Sequence, residues 1–342
     1  MKHDKNASEA QIAHLDTVTS VSRRTLAGGL AALVTSFAGA GASQAANGDK
    51  MARQFWPLAT GTDYATTDSP YLDPDYPSMH FPHIFTSQGK VVQSFMWLAD
   101  GPGAKGCVVL SPQRYGGDSL DSLVPALVGA GIHVMRFNPR GMWDDNQKYS
   151  FVTALEDLFS AVDFLRQDGG RHVVPPGTGI PRSFQVDPDR IAVLGKSGGG
   201  GMMGWIGGAE NANLNTVITV GPGMLPERPF SAKYGKFFSD LKQSTAGRVD
   251  LKAELEALTS AQYDRFDMVK AASKLVDKNV LLIGHSSREY VELHHKPLVQ
   301  AMQNAGAKHF AQVILEANDY YLTARIALAR SVIAWLKTEC GF

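Results

Sequence analysis

Six short apolar runs constrain the fold of this chain more than any other feature. They are GCVVLSP (Gly106–Pro112), IHVMRFNPRG from Ile132, RIAVLG from Arg190, NTVITVGPG from Asn215, NVLLIGH (Asn279–His285) and HFAQVILEAN (His309–Asn318). Most are nearly continuous rather than alternating. A strand that is apolar on both faces has to be covered on both faces, which is the condition of a parallel sheet between helices. The intervening segments supply the helices. In SFVTALEDLFSAVDFLRQDGG, Leu155, Leu158, Phe159, Val162 and Leu165 recur at helical spacing, and Gly169 stops the pattern. SLVPALVGAG, HKPLVQAMQNAG and YLTARIALARSVIAWLKT read as further helices. Ahead of them, two β-type runs flank Ser87-Gln88-Gly89-Lys90, a hairpin signal. The expected fold is α/β: a mostly parallel, doubly wound sheet with an opening β-hairpin.

Between the fourth and fifth runs, at about 222–266, the pattern turns helical and charged, and is read as a cap over the sheet. Its aromatics Phe230, Tyr234, Phe237 and Phe238 suit packing more often than pocket lining, and they leave room for a bulky substrate. The chain has 342 residues, with 33 Lys and Arg against 33 Asp and Glu. That balance argues against nucleic acid as the main partner, because a phosphate backbone requires a basic face. Cys107 lies inside an apolar run and Cys340 almost at the end, so no disulfide framework is expected. No His/Cys cluster has metal-ligand spacing, and no cofactor is expected. The adjacent pair His294-His295 is read as surface, since helical neighbours diverge in direction.

Residues 1–45 have the shape of an export signal. Arg23 and Arg24 precede a Gly/Ala-rich apolar run, with small residues for cleavage after Ala42 or Ala45. The run from Thr25 to Ala40 falls short of the roughly 20 apolar residues of a spanning helix. The arginine pair resembles that of twin-arginine signals, which implies the twin-arginine export machinery as a partner and a periplasmic or secreted protein. Residues 46–78, rich in Pro, Asp, Thr and Tyr, are expected to form an extended arm, and 79–342 the folded domain.

The segment IAVLGKSGGGGMMGWIGG holds the chemistry. A phosphate-binding P-loop would need glycine five residues before the Gly195-Lys196 pair, where Arg190 stands. A dinucleotide reading finds Gly199, Gly201 and Gly204, but they start well past the strand, and the following strand lacks its acidic residue. The third reading fits. Gly195-Lys196-Ser197-Gly198-Gly199 is a G-x-S-x-G sequence placed directly between an apolar strand and a helix. Such a corner lifts a serine out of the sheet's carboxyl end, beside the amide hydrogens of a helix start.

From Met79 to Thr338 the chain resembles the α/β-hydrolase family. The order matches: a hairpin, VVLSPQRYGGDS at the oxyanion-loop position, FNPRG where the family often has D-x-R-G, then helix and elbow. The resemblance implies Ser197 as nucleophile, with an oxyanion hole from the N–H of Gly198 and one from the loop after VVLS, most simply Gln113, with Arg114 its neighbour. Trp143, Asp144 and Asp145 would lie on the same face. Two positions depart from the family pattern. Where its histidine follows the last strand, this chain has Asp319-Tyr320-Tyr321, and no histidine occurs after His309. Where its aspartate follows the penultimate strand, GHSSREYV places Arg288, with Glu289 one residue on.

Other bases therefore enter. His133 starts its strand, hence lies on the far face of the sheet; His80 and His83 lie in the hairpin, His172 in a loop, and His294 and His295 one or two helical turns beyond His285. His285 ends its strand on the side of Ser197 and is the least poor replacement, although a strand-end histidine satisfied by backbone is the preferred reading of it. Asp319 would serve only if burial raised its pKa. Two functions follow: a hydrolase of a small carboxylic ester or lactone through Ser197 with a rearranged base, or a fold relative that has lost hydrolysis and binds a ligand. A peptidase is a third, weaker reading.

Overall fold

The computed structural model describes residues 53–54, 62–69, 73–111, 120–142, 149–174, 183–225 and 251–342, all within the unit Met51–Phe342. The predicted hairpin is β2 (Met79–Ser87) and β3 (Lys90–Leu98), paired antiparallel from Met79↔Leu98 to Ser87↔Lys90. Its turn puts Gln88 at φ 48° and Gly89 at φ 72°, the doubly left-handed turn whose twist matches a hairpin.

The remaining strands are β4 (Ala104–Ser111), β5 (His133–Phe137), β6 (Arg171–Val173), β7 (Ser183–Lys196), β8 (Thr216–Val220), β9 (Asn279–His285) and β10 (Phe310–Leu315). The first, β1 (Arg53–Gln54), belongs to the arm and adds an edge by pairing with β10. The sheet runs β1-β10-β9-β8-β7-β4-β5-β3-β2, with β6 paired to β7. From β1 to β5 every neighbour on that path is parallel. All six apolar runs thus became adjacent strands.

Their continuity has the predicted cause. Along β7, Ile191 and Val193 face one core while Ala192 and Leu194 face the other; in β9, Val280 and Leu282 oppose Leu281 and Ile283 in the same way. The first core is closed by α2 (Phe151–Arg166) and α3 (Met202–Glu210), the second by α1 (Val124–Gly129) and α7 (Arg325–Glu339). Between them come α4 (Leu251–Ala257), α5 (Ser260–Arg265) and α6 (Lys296–Ala305). The described end of the expected cap packs inward: Leu255 and Phe266 are buried in the first core. Cys107 is buried, and both cysteines are free thiols.

The FNPRG loop is tied down structurally. Arg140 donates from its backbone N–H and its Nε to the two oxygens of fully buried Asp157, at 2.8 and 2.6 Å, and its guanidinium reaches Glu156 at 2.8 Å. A buried carboxylate needs this kind of matched donor set. Among the described residues no helix is long and apolar enough to cross a membrane. The export segment lies outside the described residues.

Candidate active site

β7 ends at Lys196, and Ser197 is the next residue, with no connecting loop. Ser197 has φ 62°. For an L residue the left-handed region costs about 1–2 kcal/mol. The abrupt change from strand to helix imposes it, and glycine makes it possible. A β-carbon on Gly195 would lie 2.0 Å from the Gly200 carbonyl oxygen, and one on Gly201 would lie 2.9 Å from Pro222 Cα. Around Gly198 that space is open, and Gly198 is exposed beside half-buried Ser197. The helix does not begin as an α-helix. Residues Ser197–Gly201 form a wider π-type turn before α3, the kind of irregularity that often marks a functional position.

The end of β8 lies beside the elbow. Lys196, the last residue of β7, is in register with Val220, the last of β8. A β-carbon on Gly223 would lie 3.1 Å from Gly198 Cα, so the Gly221–Gly223 loop runs close past the elbow. The next residue, Met224, donates its N–H to His294 Nδ1 at 3.2 Å. That bond places the proton of neutral His294 on Nε2.

His285 ends β9, next to β8 in the sheet. Its ring stacks on Tyr290 at 4.1 Å and meets Tyr321 edge-on at 5.9 Å. Its Nδ1 is buried without a hydrogen-bond partner. Burial lowers its pKa, and the charge of Asp319 pulls the other way. Asp319 itself is exposed in the turn after β10, so the burial required for a basic carboxylate is missing. Glu289 is exposed on the helical turn Arg288–Tyr290, and its charge acts on His294, where burial again dominates and lowers the pKa.

One expectation is overturned. His294 and His295 are not a surface pair: His295 is only 1% exposed and His294 half-buried. The helix opens with a π-type turn, Val291–His295, that packs onto the end of β9, and Gly284 lacks the side chain that would collide with His295 Nδ1. His295 Nε2 is bonded to Gln312 Oε1 at 2.6 Å. Of the other described histidines, His80 and His83 lie in β2, at the far edge of the sheet. His133 receives the Ala99 N–H at 3.0 Å, and His172 lies buried in β6 rather than in a loop. A cavity of about 300 Å³ lined by His133, Arg171 and Gln185 opens at the amino ends of β5 and β7, the end opposite Ser197.

Two residues of the site were not singled out by sequence. Lys196 is 3% exposed; its ammonium donates to the Tyr320 carbonyl oxygen at 3.1 Å and lies 5.8 Å from the Tyr321 ring centre. Tyr321 is 2% exposed and left-handed, at φ 58°. Lys196 was legible only as the variable residue of the elbow pentapeptide, and Tyr321 only as the second residue after a displaced histidine position. Gln113, Arg114, Trp143, Asp144, Asp145 and the cap aromatics Phe230, Tyr234, Phe237 and Phe238 lie outside the described residues.

No protein-family model and no curated protein matches the sequence. Solved structures do. A 2,6-dihydroxy-pseudo-oxynicotine hydrolase is similar at 14% identity and a TM-score of 0.54, over 78% of this chain and 69% of that one. EstE1, a thermostable carboxylesterase cloned from a metagenomic library, is similar at 16% identity and 0.53, over 76% of this chain and 90% of its own. An acylaminoacyl peptidase from Pyrococcus horikoshii is similar at 14% and 0.52, over 77% of this chain but 41% of its own. Taken with the strand order and the serine corner after β7, these likenesses establish that the chain has the α/β-hydrolase fold.

Proposed function

We propose that this protein is an exported hydrolase of small carboxylic esters or lactones, with Ser197 as nucleophile. The observation that carries the reading is the left-handed Ser197 at a strand-to-helix corner whose flanking Gly195 and Gly201 admit no side chain. Strain of this kind persists only where the surrounding structure enforces it, and it clusters at functional sites. Serine needs a base and a place for the oxyanion. His285 is the base in this reading, with the Asp319 carboxylate favouring its protonated form as it takes the Ser197 proton. Exposed Gly198 supplies one oxyanion N–H, and Gln113 is proposed for the other. The hydrolase and the carboxylesterase of similar fold support the reaction class. The exposed carboxylate of Asp319, and the phenol of Tyr321 packed against His285, favour a second reading, in which the pocket only binds a ligand.

The deciding experiment is a screen on p-nitrophenyl esters and lactones with wild type beside Ser197→Ala. The hydrolase predicts a loss of at least about 10³-fold in the variant. Equal background rates in the two would leave only the binder. Export is tested separately: Arg23-Arg24→Lys-Lys should leave precursor in the cytoplasm, and normal secretion of that variant would remove the twin-arginine proposal.

A further inference from the structure

His294 is a half-buried imidazole that the reading above leaves unused. It stands on the π-type turn Val291–His295, and its Nδ1 accepts the Met224 N–H at 3.2 Å. That bond joins segments 70 residues apart. Met224 follows the Gly221–Gly223 loop, which packs on the elbow. A β-carbon on Gly201 would lie 2.9 Å from Pro222 Cα. One on Gly223 would lie 3.1 Å from Gly198 Cα and 3.8 Å from Gly198 N. The Gly198 N–H is the oxyanion donor of the reading above, so the loop rests against the peptide that carries it. Two hydrogen bonds anchor this loop. At its start the Gly221 N–H donates to the Ile283 carbonyl oxygen of β9 at 2.7 Å. At its end, beside Gly198, the anchor is the bond from Met224 to His294. The first acceptor is a carbonyl and does not titrate; the second is an imidazole and does.

We propose that His294 is a positioning residue for the oxyanion hole: its neutral imidazole holds the loop before Met224 against the elbow, and its protonation lets that end of the loop go. The inference rests on the ester-hydrolase reading and deepens it. An imidazole nitrogen accepts a hydrogen bond only while it carries no proton. In the imidazolium, Nδ1–H and the Met224 N–H are two donors face to face, and the bond is lost. Gly221 keeps its bond to Ile283, so only the end beside Gly198 is released. Among the described residues the charges around the ring are few. Glu289, on the turn Arg288–Tyr290, favours the imidazolium, and His285, at the end of β9, opposes it. Gly221–Leu225 brings no charged group, and burial keeps the Tyr290 phenol neutral by pushing its pKa up. Burial is the largest influence on His294 and lowers its pKa below the ordinary 6.5. The loop is therefore held at neutral pH and released as the pH falls through that lowered value.

Two variants separate the acceptor from the bulk of the side chain. In His294→Asn the amide oxygen stands near the place of Nδ1 and accepts at every pH; in His294→Leu nothing accepts at any pH. Both lack the histidine charge, so the ratio between them reports the bond alone. On a p-nitrophenyl ester, kcat/KM of the Asn variant should exceed that of the Leu variant by about tenfold throughout, less than the 10²–10³ of deleting an oxyanion donor outright. Wild type should match the Asn variant at pH 8. It should fall toward the Leu variant as the His294 ring protonates, followed by its own NMR titration. Equal rates in the two variants would overturn the inference, and so would a wild type that parallels the Asn variant after the ring is protonated. Should the Leu variant fail to fold, the comparison of wild type with Asn carries the test. Hydrogen exchange at the Met224 amide needs no substrate. That amide should be protected in wild type and the Asn variant at pH 8 and unprotected in the Leu variant; no protection in wild type sinks the inference. If Met224 is protected as expected but no ester is turned over through Ser197, the hydrolase reading fails and the oxyanion role of His294 fails with it.

Discussion

Among its described residues the site contains two that are not glycine and lie in the left-handed region, and they are held there in opposite ways. Ser197, φ 62°, is half-buried on a corner made of glycine, where Gly195, Gly200 and Gly201 bring strand, helix and the β8 loop into near contact. Tyr321, φ 58°, is buried in a turn with no glycine beside it, and is fixed by what packs on its ring: Lys196, His285 and Gly221. The elbow is strained by local sequence and the turn by tertiary contacts. A corner of the first kind holds its residue through backbone alone. A turn of the second kind holds as long as its neighbours do.

The largest break should come at the elbow. Gly195→Ala forces a β-carbon to within 2.0 Å of the Gly200 oxygen, and since the obstacle is backbone the corner has to move. A loss of about 3 kcal/mol is expected, read from the urea midpoint. Gly198→Ala, where nothing stands within 4 Å, is the matched control and should stay within about 0.5 kcal/mol of wild type. If the two variants behave alike, the elbow is not glycine-locked.

Next in size, Tyr321→Gly relieves its own left-handed strain but removes a buried ring. Lost packing should win, giving a net loss of about 2–3 kcal/mol in the same assay. The same replacement at the elbow should have the opposite sign. Ser197→Gly loses little burial and relieves strain, so a gain of about 0.5–1 kcal/mol is expected once the added freedom of the unfolded chain is counted. Matching signs at the two positions would erase the distinction between them.

The gentlest probe is pH. Burial lowers the pKa of His285, His294 and His295 around the turn, and of His83 and His172 elsewhere, below the ordinary 6.5. The unfolded chain therefore binds protons before the folded chain does. Stability should be complete above about pH 6.5 and decline as the pH falls through the lower folded values. Asp63, held at about 2 chiefly by the Arg330 hydrogen bond, joins the loss only in stronger acid. Urea midpoints that stay flat from pH 7.5 to 5 would show these imidazoles protonated at no cost.

The two regions also differ in how much of them sequence disclosed. The elbow was readable because its requirements are local: an apolar strand, a serine, and glycines at the positions that backbone would otherwise occupy. The sheet was readable for the same reason, since strands such as β7 and β9 carry both faces' contacts in consecutive residues. The turn after β10 was not. Residue order alone left Asp319 as the candidate base there, while the fold exposes it and buries Tyr321. His295 was misjudged because divergence on a helix says nothing about a strand end packed beneath it.

Amino-acid order alone determined the architecture of this protein and the corner that presents Ser197, because burial on two faces and steric room for backbone are written in neighbouring residues. Only the tertiary structure decided what gathers at the carboxyl edge of the sheet. Lys196, Gly221, His285 and Tyr321 come together from the ends of four strands, and packing between segments far apart in the chain leaves no local pattern to read.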